Sequence, residues 1–450
     1  MNIKDLHSVY FIGIGGIGMS ALARYFKFIG KNVGGYDKTE SPLTKELVEG
    51  GMEIHYEDNM ELVPEHYKNP IGTLVVYTPA VPIDHTEYQY FVNRGFEVYK
   101  RSAVLGLVTN HSFCLAVAGT HGKTTTSSIL AHLLKEAGMP ITAFLGGISE
   151  DFNSNFLLEG TEVSVVEADE FDRSFLQLTP NIACVTSMDA DHLDIYGTSE
   201  ALVQSFNDFA GRLKSDGKLF VRKGLPLEGI TYGIADGSDY CIENLKIENG
   251  AYLFDLVTPE ETFKGVRFSK PGKHNLLNGL VAFAMALQTD APKQGLVDAM
   301  GTFKGVQRRF SYRLRSDDFV FIDDYAHHPT EINAVYEAIE EMHPNKKVLA
   351  IFQPHLYSRT RDFIDDFAKS LEKFDSVLLL DIYPAREKPI EGVTSEWLLQ
   401  KINNPKKKLI AKSGLIEEIK KQAPEVLVTM GAGDIGLEVV KIEKEFAYEN

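Results

Sequence analysis

Cysteine is scarce: Cys114, Cys184 and Cys241 are the only three in 450 residues. They stand too far apart for a zinc spacing or a disulfide framework, and each reads as a small core residue. No apolar run approaches the ~18 residues that a membrane helix needs, so no membrane partner is expected. The segment 1–7 is polar and charged and lacks the basic-then-apolar layout of a signal peptide. A cationic excess is missing too: 46 Lys and Arg face 63 Asp and Glu, a net charge of −17. A nucleic-acid surface needs the opposite balance to displace phosphate counterions, so no nucleic-acid partner is expected. Anionic small molecules remain possible, because backbone N–H groups and a few local cations hold them inside an acidic protein. These absences predict a soluble, cytoplasmic protein; a monomer or a homodimer is expected.

The composition is that of a globular chain, 44% hydrophobic and 24% charged. Its length implies about three domains of ~150 residues each. Apolar β-rich runs alternate with helical patterns throughout, which predicts parallel sheets with helices on both faces. The first alternation gives strands at 9–14, 33–36, 73–77 and 96–99, with a helix at 17–29. A second strand–loop–helix unit begins at 113–117, runs into a helix at 123–136, and continues through strands at 163–167 and 182–186. From 217 to 268 short segments separated by Gly and Asp turns read as an antiparallel patch, closed by an apolar helix at 275–287. A third alternation supplies strands at 320–323, 348–352, 377–381 and 426–430, with a further glycine loop at 431–434. Boundaries fall near 109 and 306, giving an α/β chain of three consecutive domains, 1–109, 110–306 and 307–450.

Gly13-Ile14-Gly15-Gly16-Ile17-Gly18 matches G-x-G-x-x-G between a strand and a helix. Glycines there let the backbone approach a diphosphate, and the helix N-terminus adds unpaired N–H groups and partial positive charge. Asp37 ends the next strand, where a carboxylate can accept ribose hydrogen bonds. The physics selects a diphosphate, so NAD and a UDP-sugar both satisfy the loop; a glycine turn demanded by packing alone is the plain alternative.

Gly119-Thr120-His121-Gly122-Lys123-Thr124-Thr125-Thr126 is more specific. It follows a strand and opens a helix, the context of a phosphate loop of the P-loop type. Backbone N–H groups would wrap phosphates, Lys123 would neutralise them, and the Thr124 hydroxyl would face Mg²⁺. The usual longer pattern is not met, since Val117 stands where its first glycine would be. Glu167-Ala168-Asp169-Glu170 closes the strand 163–167, at an edge where a carboxylate suits a hard cation. Asp191-His192-Leu193-Asp194 follows the next strand, and His192 suits a second cation or a phosphate.

Together these residues resemble the Mur ligase family, over nearly the whole chain. Gly272-Lys273-His274-Asn275-Leu276-Leu277-Asn278 is similar to that family's adenine-contacting segment, and 303–310 to the joint into its third domain. The segments 323–331 and 352–361 resemble the third domain of the branch that adds L-alanine. The resemblance implies a Rossmann-like UDP-binding domain, a central ATPase domain and a C-terminal Rossmann-like domain. It implies ATP-dependent amide formation between UDP-N-acetylmuramate and L-alanine, with Mg²⁺ as the metal and two divalent cations in all. ATP would lie on Gly119, Thr120, His121, Gly122, Lys123, Thr124 and Thr125, with adenine at Asn278 and ribose at Asp324. Thr124 and Glu167 would hold one cation and His192 the second. Gly13, Gly15, Gly16, Gly18 and Asp37 would take the UDP-sugar. Tyr325 and Arg359 would face the amino acid, and Lys123, His192, His327 and Arg359 would act on the reacting groups, with His328 as the alternative to His327. Two departures stand out. The offset at which several related ligases carry a carbamylated lysine falls on Asn207, and Leu356 replaces an arginine common in the family. A tripeptide-adding ligase, an NAD-dependent dehydrogenase and a non-catalytic nucleotide-binding regulator are the competing readings.

Overall fold

The computed structural model describes residues 3–189, 196–248, 250–385 and 387–447. Three sheets carry the chain. In the first, Ser8–Ile12 is central, paired in parallel with Asn32–Tyr36 and Thr73–Tyr77, and Glu53–His55 and Glu97–Lys100 extend the sheet on either side. All five residues of the central strand are buried, as a strand covered on both faces requires. Helix Ile17–Phe28 turns Met19, Leu22, Ala23 and Phe26 inward. Full burial of a side chain such as Phe26 stabilises the fold by about 1.5–3 kcal/mol.

The second sheet has ten strands. At its heart Phe113–Ala118 lies between Val163–Glu167 and Ile182–Val185, parallel to both, so three strand ends open onto one edge. An antiparallel hairpin, Ile141–Ser149 with Ser154–Leu158, continues the sheet beyond Val163–Glu167. In the third sheet Val320–Asp324, Val426–Met430, Val348–Phe352, Ser376–Leu379 and Lys407–Leu409 run parallel, and Ser311–Arg315 pairs antiparallel at the edge.

The chain packs as two compact units. One comprises residues 1–243, 255–266 and 278–303; the other comprises 244–254, 267–277 and 304–450. In the first, one apolar core runs from Phe11 and Phe26 through Phe144 and Val166 to Phe175 and Phe206. Helix Ile17–Phe28 therefore contacts two sheets. Asn155 Nδ2 donates to the Ile17 carbonyl at 2.6 Å, and Arg24 Nη1 to Ser154 Oγ at 2.8 Å. In the second unit, two cores flank the sheet, one around Phe352 and Phe367, the other around Leu349 and Leu427.

The expected antiparallel patch after 217 is corrected in part. Lys218–Arg222 pairs in parallel with Ile182–Val185, Ile230–Ile234 with Lys218–Arg222, and Tyr240–Glu248 with Ile230–Ile234. The last two ladders comprise only three paired residues each, short enough for the loops 223–229 and 235–239 to bring the chain back alongside. Asp239 braces the second return by accepting from Thr231 N at 2.8 Å and Thr231 Oγ1 at 2.7 Å. Among the described residues, no helix is long and apolar enough to cross a membrane.

Candidate active site

The first glycine loop joins strand Ser8–Ile12 to helix Ile17–Phe28. Gly13 has φ +89°, a left-handed conformation that favours glycine. The helix begins after Gly16, which offers no side-chain cap, so its first N–H groups depend on an outside partner. Asp37 Oδ2 accepts from Gly15 N at 2.7 Å, bracing the loop from the next strand end.

The second loop is the tighter one. Gly119 has φ +131° and Gly122 φ +85°. A Cβ on Gly119 would fall 2.1 Å from Thr186 Oγ1, and one on Gly122 would fall 2.7 Å from Asn278 Oδ1. The loop is therefore clasped between the end of strand Ile182–Val185 and the helix Lys273–Ala286. Thr120 Oγ1 lies 2.9 Å from Ser187 Oγ, His121 N donates to Ser187 Oγ at 2.7 Å, and Asp189 N donates to Thr120 Oγ1 at 3.0 Å. Lys123 opens helix Lys123–Glu136 and folds back over the loop. Its Nζ donates to Gly119 O at 2.7 Å and meets Glu170 at 2.9 Å and 2.7 Å. Burial works against the Lys123 charge, but the carboxylates of Glu170, Asp169 and Glu167 outweigh it and keep the ammonium protonated. Burial pushes the Glu170 carboxyl upward against the pull of Lys123. Glu167 sits at the end of its strand and accepts from Gly146 N at 3.1 Å. Thr124 and Thr125 are buried in the first turn of the helix. The structure thus brings Gly119, Thr120, His121, Gly122, Lys123, Thr124, Thr125, Glu167 and Asn278 together in one unit. His192, with Asp191 and Asp194, lies outside the described residues.

Asp324, Tyr325, His327 and Arg359 belong to the other unit. Asp324 is buried, and its carboxylate accepts from Phe310 N and Ala326 N, both at 2.7 Å. Burial pushes that carboxyl up to about 7 despite Arg309 and the two N–H donors. The guanidinium groups of Arg308 and Arg309 lie 5.3 Å and 5.1 Å from the Tyr325 ring centre. His327 Nδ1 is 2.9 Å from Tyr325 O, and its ring stands edge-on to that of His355 at 5.9 Å. Arg359 Nη1 is 3.5 Å from His355 Nδ1. His328 caps helix Pro329–Met342 through Nδ1, which accepts from Thr330 N at 3.3 Å. Its ring is thus tied to the helix start, whereas His327 stays with Tyr325 and His355. Leu356, the departure noted above, has φ +72° at the start of helix Tyr357–Asp362.

Several parts of the site carry little signal in the sequence. Thr186 and Ser187 latch the phosphate loop, but threonine and serine after a strand carry no distinctive signal. Glu170 was visible only as one acid among three. The glycines of 431–434 answer to packing: a Cβ on Gly431 would fall 2.7 Å from Gln353 O, and the N-terminus of helix Ile435–Ala447 is met by Gln353 Oε1 on Ile435 N at 2.8 Å.

Three descriptions of the Mur ligase family match in succession. "Mur ligase family, catalytic domain" covers residues 8–113, "Mur ligase middle domain" 117–286, and "Mur ligase, glutamate ligase domain" 308–437. The UDP-N-acetylmuramate–L-alanine ligase of Flavobacterium psychrophilum is 61% identical, with 99% of each chain covered. That of Cytophaga hutchinsonii is 46% identical over 97% of this chain and 96% of its own. Among solved structures, the UDP-N-acetylmuramate-alanine ligase of Thermotoga maritima superposes with a TM-score of 0.81 at 26% identity, covering 98% of this chain and 100% of that one. A murein peptide ligase from Psychrobacter arcticus shares the fold, with a TM-score of 0.71 at 24% identity over 97% and 98% of the two chains.

Proposed function

The chain belongs to the Mur ligase family, and from that premise we propose that it joins L-alanine to the lactyl carboxylate of UDP-N-acetylmuramate, splitting ATP to ADP, in peptidoglycan precursor synthesis. Full-length identity to ligases of that name supports this reading. The structural observation that carries it is a pair of glycine loops in one compact unit. The loop at 13–18 has no charged residue, whereas the loop at 119–122 leads into the partly buried cation of Lys123 with Glu167 and Glu170 beside it. Two phosphorylated substrates fit such a pair; a dehydrogenase needs only the first loop.

The assigned roles follow the chemistry of each group. Residues 1–109 take the UDP-sugar at Gly13, Gly15, Gly16 and Gly18, with Asp37 at the neighbouring strand end. Residues 110–306 take ATP on the 119–125 loop, with adenine beside Asn278. Residues 307–450 take L-alanine at Tyr325 and Arg359, and Asp324 serves the ATP ribose. The hydroxyl of Thr124 and the carboxylate of Glu167 are hard oxygen donors, a set that fits Mg²⁺. When bound, the ion would offset negative charge on the phosphates. His192 is assigned to a second cation. The place of action is the cytoplasm, where ATP and UDP-sugars are made.

In the first half-reaction a lactyl carboxylate oxygen attacks the γ-phosphorus, the bond to the β-phosphate oxygen breaks, and ADP leaves. Two anions must meet, so the ammonium of Lys123 and the loop N–H groups offset their repulsion. In the second, the amine of L-alanine attacks the acyl carbon, the carbon–oxygen bond to phosphate breaks, and His327 accepts the amine proton. The acyl phosphate hydrolyses in water, so the site must exclude solvent while it exists.

A phosphate-release assay on purified protein tests the reading. Release should require UDP-N-acetylmuramate and L-alanine together and should yield ADP. Turnover with a tripeptide in place of L-alanine would favour the murein-recycling ligase instead. A thermal shift with NAD would favour a dehydrogenase.

A further inference from the structure

Resting on the reading of the first loop as a UDP-sugar site, we propose that Arg101 is the cation that binds the substrate diphosphate there, in competition with Asp169. A diphosphate brings at least two negative charges, and the loop 13–18 has no cation of its own. Asp37 makes the deficit worse: its carboxylate occupies Gly15 N at 2.7 Å and adds a negative charge beside the loop. Some other element must supply the positive charge.

Arg101 is the first residue of helix Arg101–Thr109, and its side chain lies over Gly18. A Cβ on Gly18 would fall 2.9 Å from both Cδ and Nη1 of Arg101, so the third glycine of the motif is what admits the guanidinium. Gly18 is the second residue of helix Ile17–Phe28, where the helix end already carries partial positive charge and its first N–H groups lack helical partners. Placing a guanidinium there is electrostatically unfavourable unless an anion joins it. Among the described residues the anion within ion-pair range is Asp169, 4.0 Å from Nη2, too far for a hydrogen bond. The Arg101 side chain is about one quarter exposed, so a ligand reaches it.

Asp169 is also next to Glu170, the partner of Lys123. One acidic segment therefore faces the cation of each phosphate site: Asp169 towards Arg101 and Glu170 towards Lys123. On this reading Gly13–Gly18 supplies the backbone cradle and Arg101 the charge, and the fork of the guanidinium suits two phosphate oxygens at once.

Titration of the full-length protein with UDP, without ATP, tests this in about 0.1 M salt. Arg101→Gln should weaken UDP binding about tenfold or more, the loss of one charge-assisted contact. UMP should lose less, Arg101→Lys should retain an intermediate affinity, and Asp169→Asn should bind UDP more tightly than the parent. KM for ATP should stay within about twofold in Arg101→Gln, which separates lost charge from lost fold. Equal UDP affinity in Arg101→Gln and the parent overturns the proposal. If the parent itself does not bind UDP, the reading of the first loop fails instead.

Discussion

Both carboxylate oxygens of Glu170 lie against the Lys123 ammonium, at 2.9 Å and 2.7 Å, so the lysine of the phosphate loop is held in an ion pair. The pair sets a lysine over the glycine loop at the cost of burying a carboxylate. Lys123→Met removes the cation and leaves Glu170 buried without this partner. Phosphate release should fall by at least about 10²–10³-fold. Stability should drop by about 3 kcal/mol, the usual penalty for breaking a buried pair. Adding Glu170→Gln should restore much of the stability and none of the activity, as read by thermal unfolding and phosphate release in parallel.

Gly119→Ala tests the latch between the loop and Thr186. At φ +131°, a Cβ would fall 2.1 Å from Thr186 Oγ1 and 2.8 Å from Ser187 N, so the backbone itself must move. KM for ATP should rise more than about tenfold, since a misplacement of one ångström is enough to disable a preorganised site. UDP affinity should not follow. Equal effects on both ligands would show that the damage is global.

Glu87 offers a pH test away from the loops. It is fully buried, accepts from Tyr10 Oη at 2.7 Å and lies 3.4 Å from His55 Nε2. Burial pushes its carboxyl from 4.5 up to about 7, while burial lowers His55. The folded chain therefore keeps this proton where the unfolded chain has released it. The stability contributed is present below about pH 4.5 and is lost as the pH rises through about 7, roughly 3 kcal/mol in all. In Glu87→Gln the melting temperature relative to the parent should improve steadily from pH 5 to pH 8. A constant difference across that range would contradict the assignment.

Leu356 carries backbone strain beside His355 and Arg359, with φ +72°. Leu356→Gly should raise stability by about 1 kcal/mol by removing it. The same change loosens the segment that positions His355 and Arg359, so KM for L-alanine should rise while KM for ATP holds. A loss of stability in thermal unfolding would show that the leucine side chain matters more than its conformation.

The sequence made the architecture readable wherever local physics decides it. Helix Lys123–Glu136 and strands Thr73–Tyr77, Val163–Glu167 and Val348–Phe352 fall where the apolar periodicity placed them, because buried parallel strands are continuous apolar runs. The two glycine loops were legible because positive φ and close approach demand that residue. Partners distant in sequence were not. Nothing in the neighbourhood of Lys123 indicates that Glu170 rather than Glu167 meets it, since the choice depends on how residues 168–173 turn after the strand. The parallel pairing of Ile230–Ile234 leaves no mark in the sequence, because short turns normally signal hairpins and only the shallow ladders reveal the exception. The hairpin Ile141–Ser149 with Ser154–Leu158 is not legible either, since it lacks the two-residue turn that advertises such pairs.

On the proposed mechanism the lactyl carboxylate becomes an acyl phosphate before the amine attacks. UDP-N-acetylmuramate labelled with ¹⁸O in that carboxylate, turned over with ATP and L-alanine, tests it by mass analysis of the released phosphate. One ¹⁸O atom should appear in each inorganic phosphate and none in ADP. Label retained wholly in the amide product and water, or carried into AMP, would contradict the mechanism.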